Sequence, residues 1–84
     1  MTTSASTLEY LPCGQHALIS AVDVDADLRG RLSALGLACG KEVWVLRRAS
    51  LGGPLHVRVG STEIILRRHE AAHIQVSPPR ALAA

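Results

Sequence analysis

The sequence contains no phenylalanine, and Tyr10 and Trp44 are its only aromatic residues. A core therefore has to be assembled from Val, Leu, Ile and Ala, and the β-branched members of that set favour strands. So few rings also exclude a stacking platform for single-stranded nucleic acid. Long apolar runs are missing as well: no stretch approaches the ~20 residues that cross a bilayer as a helix, so direct membrane insertion is not expected. Met1 to Tyr10 include neither Lys nor Arg and no apolar run of signal-peptide length, and a cytoplasmic location is expected. Cysteine is limited to Cys13 and Cys39, which remain thiols in a cytosol. Eight Arg and Lys41 oppose seven acids for a net charge of +2, too mild a bias for a protein that grips nucleic acid.

What is present suffices for one domain. Apolar residues make up 48% of the 84 positions and charged residues 19%, enough to collapse a single core and keep it in solution. Ala17 to Val22, after Pro12 and Gly14, reads as a first strand. Leu28, Leu32 and Leu35 then recur at i, i+4, i+7 and predict one helix with all three leucines on one face. Asp25 or Asp27 supplies its N-cap and Gly36 the left-handed residue that stops it, with Leu37 folding back on Leu32. Glu42–Leu46 and Leu55–Val59 alternate around the turn Leu51–Pro54 and form a hairpin. Gly60-Ser61 fits a type II′ turn into a further strand, Thr62–Leu66. About one helical turn over Arg68–Ala72 leads to a last strand at Ile74–Val76, before a tail over residues 77–84. Five short strands and one helix bury their apolar faces in so small a chain by curling, so the expected class is mainly β with one helix, an SH3-like small barrel.

In order and spacing, Leu11-Pro12-Cys13-Gly14-Gln15, Leu28-Arg29-Gly30-Arg31-Leu32-Ser33-Ala34-Leu35-Gly36-Leu37, Gly40-Lys41-Glu42-Val43, Leu51-Gly52-Gly53-Pro54-Leu55 and the run from Leu66 to Val76 resemble the FeoA family. That family is the small cytoplasmic component of bacterial ferrous iron uptake. The resemblance covers Leu8 to Val76; Cys39 departs from it, where proline or another ordinary residue is expected before Gly40. It implies an SH3-like fold and an accessory role beside FeoB, the membrane transporter whose GTP-binding region or core would be the partner. It supplies no catalytic residues. Similar barrels form the C-terminal domain of DtxR-type regulators, so a metal-sensing module is the alternative, although DNA-binding helices are missing here.

His69-Glu70-Ala71-Ala72-His73 fits the H-E-x-x-H pattern in which two imidazoles bind zinc and the glutamate acts as base. A hydrolase needs a third protein ligand, and residues 74–84 contain no His, Cys, Asp or Glu. An enzyme is therefore not expected, and no cofactor is required. His69 and His73, helped by Glu70, Glu63 or His56, remain candidates for an adventitious or regulatory divalent ion, zinc or iron, shared between two copies in a homodimer. Such a nitrogen-rich set holds Zn²⁺ more tightly than Fe²⁺. If Val43 and Val45 point inward, Trp44 and Leu46 point out, and the hairpin partner brings His56 and Arg58 to the same outer face. An aromatic beside basic groups has the composition of a protein-binding hot spot. The competing expectation covers Trp44 with Tyr10 or the N-terminal segment, and the Arg47-Arg48 and Arg67-Arg68 pairs read as solvated charges.

Overall fold

Three apolar alternations set the sheet: Val43 and Val45, then Leu55, Val57 and Val59, then Ile64 and Leu66. In the computed structural model, which describes residues 6–77, all of them are buried. The elements run β1 (Ser6–Thr7), a 3₁₀ turn (Leu8–Tyr10), β2 (His16–Val22), α1 (Ala26–Ala34), β3 (Glu42–Arg48), β4 (Leu55–Val59), β5 (Thr62–Leu66), α2 (Arg68–Ala71) and β6 (Ile74–Val76). The strands pair antiparallel in the order β1-β6-β2-β3-β4-β5. β2 is the corner at which the sheet rolls. Its residues His16 to Leu18 pair with β3, whereas Ile19 to Val22 pair with β6, and a register shift at Ser20 bends the strand between the two. The Ser20 carbonyl accepts a hydrogen bond from the Cys39 thiol (3.2 Å). Both cysteines are free.

The helix signals act as the sequence predicts. Asp25 Oδ1 accepts from Leu28 N–H (2.9 Å). Gly36, at φ +101°, stops α1: its N–H donates to Ser33 C=O and Leu37 N–H to Leu32 C=O, both at 2.9 Å. That is the Schellman arrangement, and Leu32 and Leu37 are both buried. Leu35 corrects the expected leucine face. It stands at the C-cap, past the last helical residue, where the chain has begun to turn, and it is 44% exposed. The Val59–Thr62 pair closes a two-residue loop with Gly60 at φ +63°.

Three further features go beyond the sequence reading. β1 adds a short sixth strand on β6. β3 carries a bulge: Val45 pairs with Val57 but Arg47 pairs with His56, so Leu46 is the extra, half-buried residue. The shift carries Arg48 to the Leu55 side of the strand, where its guanidinium donates to Glu9 C=O (2.8 Å) and Leu11 C=O (2.5 Å). Arg68 Nε adds an ion pair to the Glu9 carboxylate (3.1 Å). Arg48 and Arg68 are thus not solvated charges but a clasp on the segment that inserts Leu8 and Leu11 into the core, where their exposures fall to 0% and 1%. The expected tail begins one residue late, since Ser77 still bonds to Leu18 through its N–H (2.8 Å) and its hydroxyl (3.0 Å). The rest of the tail lies outside the described residues.

Candidate functional site

With Val43 and Val45 committed to the core, Trp44 stands on the outer face of β3, and the register there joins four strands. His16 pairs with Trp44, Trp44 with Arg58 and Arg58 with Glu63, a single row from β2 to β5. The His16 imidazole stacks on the indole at a centroid separation of 4.3 Å and an interplanar angle of 18°. The Arg58 guanidinium lies 5.6 Å from the Trp44 ring centroid, within cation–π range. Trp44 is therefore flanked by an imidazole and a guanidinium. Arg58 Nε is shielded from solvent and has no hydrogen-bond partner among the described residues. Each imidazole of this face meets a carboxylate: His16 Nδ1 bonds to Glu42, and His56 Nε2 to Glu63 (2.8 Å). Exposed Ile65 lies opposite His56 on the same face.

Trp44, His56 and Arg58 thus share the outer face, while Leu46 is set apart by the bulge. Tyr10 remains exposed, and the residue that covers Trp44 is His16. Sequence reasoning passed over His16, although alternation back from the inward Ala17 and Ile19 marks its side of β2; that it meets Trp44 depends on a cross-strand register.

Of the H-E-x-x-H residues, Glu70 has a structural role. Glu70 Oε1 accepts from Arg67 N–H (3.0 Å), capping the first turn of α2. That helix ends at Ala71, so His73 lies beyond it, and both His69 and His73 are exposed. Glu63 and His56 are occupied with each other. Among the described residues no three His, Cys, Asp or Glu side chains gather closely enough to hold a metal ion. A cavity of about 260 Å³ between β2 and α1, lined by Val22, Arg29, Ser33, Leu37, Ala38 and Cys39, offers one thiol and one guanidinium but no carboxylate or imidazole. Among the described residues no helix is long and apolar enough to cross a membrane.

Among the described residues, a rolled antiparallel sheet of six short strands with two short helices places the chain in the SH3-like class of small domains. Within it the chain belongs to the FeoA family: the FeoA domain model matches residues 6–78. The crystal structure of Stenotrophomonas maltophilia FeoA complexed with zinc, a prokaryotic SH3 domain protein put forward as a ferrous iron transport activating factor, is 36% identical. It covers 87% of this chain and 91% of that one, with a TM-score of 0.74. The solution structure of Chlorobium tepidum FeoA is 37% identical over 84% of this chain and 68% of that one, at a TM-score of 0.80. The Fe(2+) transport protein A/Fe(2+) transporter FeoB fusion protein of Porphyromonas gingivalis is 33% identical over 69 residues, 82% of this chain. The chain spans only 8% of that fusion protein's length.

Proposed function

We propose that this chain is a cytoplasmic accessory protein of bacterial ferrous iron uptake that binds the FeoB transporter and alters its assembly, its GTP cycle or its gating. The observation that carries this reading is the fusion: in one relative a domain like this one is joined covalently to FeoB. A domain tethered to a transporter in one organism is well suited to meet that transporter as a separate chain in another. Trp44, Arg58 and His56 form the docking face, with the indole as its anchor and Leu46 at the margin. The role is binding, not catalysis.

A regulatory or adventitious divalent ion at His69 and His73 is a second element, favoured by the zinc in the S. maltophilia relative. Glu70 and Glu63 are engaged elsewhere, so such an ion completes its shell with water or with a second copy of the chain.

The test is titration of the FeoB cytoplasmic domain, loaded with GDP and then with a GTP analogue, with the native chain and with Trp44→Ala. Native binding that Trp44→Ala weakens by about 30-fold, the loss that marks a hot spot, is the expected result. No binding in either nucleotide state, or normal Fe²⁺ uptake in a strain lacking the chain, counts against the proposal.

A further inference from the structure

The two hairpin turns follow opposite residue logic. Between β4 and β5 glycine occupies the position of positive φ, as strand twist requires. At the β3–β4 tip, Gly53 N–H donates to Ser50 C=O (3.2 Å), closing a four-residue turn whose central residues are Leu51 and Gly52. Both have positive φ, 60° and 77°. Two positive values define the type I′ turn, whose first central position favours Asn, Asp or Gly. Leu51 fills it, and it is the only residue other than glycine with positive φ among the described residues. A side chain with a Cβ is sterically disfavoured there, and Leu51 gains nothing from the fold in return, being 103% exposed.

A large apolar side chain held in water on a strained backbone points to a contact outside the chain. The surroundings of the tip indicate its chemistry. Gly52, Gly53 and Pro54 line a hollow together with Arg67, Arg68 and His69. Arg68 lies against Gly52, its Nη1 3.3 Å from where a Cβ would stand, and is neutralised by Glu9. Arg67 is exposed and forms no ion pair among the described residues. An apolar tip beside a basic hollow is complementary to an apolar socket with an acidic rim. One leucine is far too little aliphatic surface to hold a bilayer, for which even a myristoyl chain is marginal. The fitting occupant is therefore a folded protein.

We propose that Leu51 is the anchor through which the β3–β4 hairpin docks, seated in an apolar socket of the partner whose Asp or Glu rim faces Arg67 and His69. This rests on the reading that the partner is FeoB, and extends the docking surface from the sheet face to the hairpin tip. The decisive variant is Leu51→Asn, because it separates stability from binding: asparagine suits the turn and cannot fill the socket.

The native chain, Leu51→Asn, Leu51→Met and Arg67→Glu are each melted, examined by sedimentation, and titrated with the purified FeoB cytoplasmic domain. Leu51→Asn is expected to melt about 4 °C or more above the native chain and to bind at least about 10-fold more weakly. Leu51→Met, still apolar, is expected to bind within about 3-fold of native, the cost of a volume-conserving swap. Arg67→Glu is expected to weaken binding and flatten its salt dependence. If native protein binds FeoB and Leu51→Asn binds equally well, the anchor is overturned and the FeoB reading stands. If native protein does not bind FeoB, both fall. If Leu51→Asn abolishes self-association while FeoB binding is unchanged, the socket belongs to a second copy of this chain and the proposal is likewise overturned.

Discussion

Replacing Arg48 by methionine removes the clasp on the N-terminal segment while keeping the aliphatic stem that covers the core. The guanidinium donates to two main-chain carbonyls, Glu9 at 2.8 Å and Leu11 at 2.5 Å, and no other side chain bonds to either oxygen among the described residues. A hydrogen bond from a charged donor contributes about 1.5–3 kcal/mol net. Arg48 is only half-buried and water can reach part of the vacated space, so the pair together is set at about 2 kcal/mol, below the sum of two such bonds. For a domain of this size each 1 kcal/mol moves Tm by about 4–8 °C, which predicts a fall of about 8–16 °C. Circular dichroism melts measure the fall, and amide exchange locates it: Leu11 N–H, bonded to Leu8 C=O at 3.1 Å, should lose protection before the β4 amides do. Arg47→Met is the control, since Arg47 is exposed and makes no side-chain hydrogen bond among the described residues. A Tm change no larger than that of the control, or unaltered protection at Leu11, would refute the clasp.

Gly36→Ala is expected to cost about 1–2 kcal/mol, because alanine at φ +101° is sterically strained and its Cβ would stand 3.3 Å from Val59 Cγ1; a urea midpoint unchanged from native would show that α1 does not need its left-handed stop. For the imidazole pair, zinc titration by calorimetry should give a heat that disappears in the doubly substituted His69→Ala, His73→Ala chain. Equal heats for the two proteins would rule the pair out as a site.

The hairpins were legible because the cause is local. Alternation of Val43 and Val45, Leu55 to Val59, and Ile64 and Leu66 fixes which face is buried without reference to any distant residue. Asp25 and Gly36 were legible for the same reason, each acting on backbone groups within a turn of itself. The exposure of Leu35 is not legible, because spacing alone does not say where a helix stops relative to its last leucine, and here α1 stops one residue before it. The stack of His16 on Trp44 depends on a cross-strand register between residues 28 apart in sequence, which no short window encodes. The double arginines look alike in sequence, yet Arg48 and Arg68 hold Glu9 while Arg47 and Arg67 face water, a distinction made by strand facing after the β3 bulge for the first pair and by the entry into α2 for the second, not by residue type.

The bulge at Leu46 links the fold to the candidate surface. Were β3 to continue in simple register past Val45, Leu46 would oppose His56 and Arg47 would oppose Leu55, turning Arg47 toward the core and Arg48 away from it. The extra residue leaves Trp44 opposite Arg58 yet sends Arg48 to the Glu9 and Leu11 carbonyls. One strand then serves two surfaces: its first half presents the indole between His16 and Arg58, and its second half fastens the segment that fills the core with Leu8 and Leu11. Because the clasp is made at Arg48, in the last β3–β4 pair before the turn, the chain is fastened right up to the tip, and Leu51 can face outward there without loosening the core. The local rules are kept where the chain must fold, at Asp25, Gly36 and Gly60, and broken on the hairpin that faces outward, which is where a surface that works by contact has reason to break them.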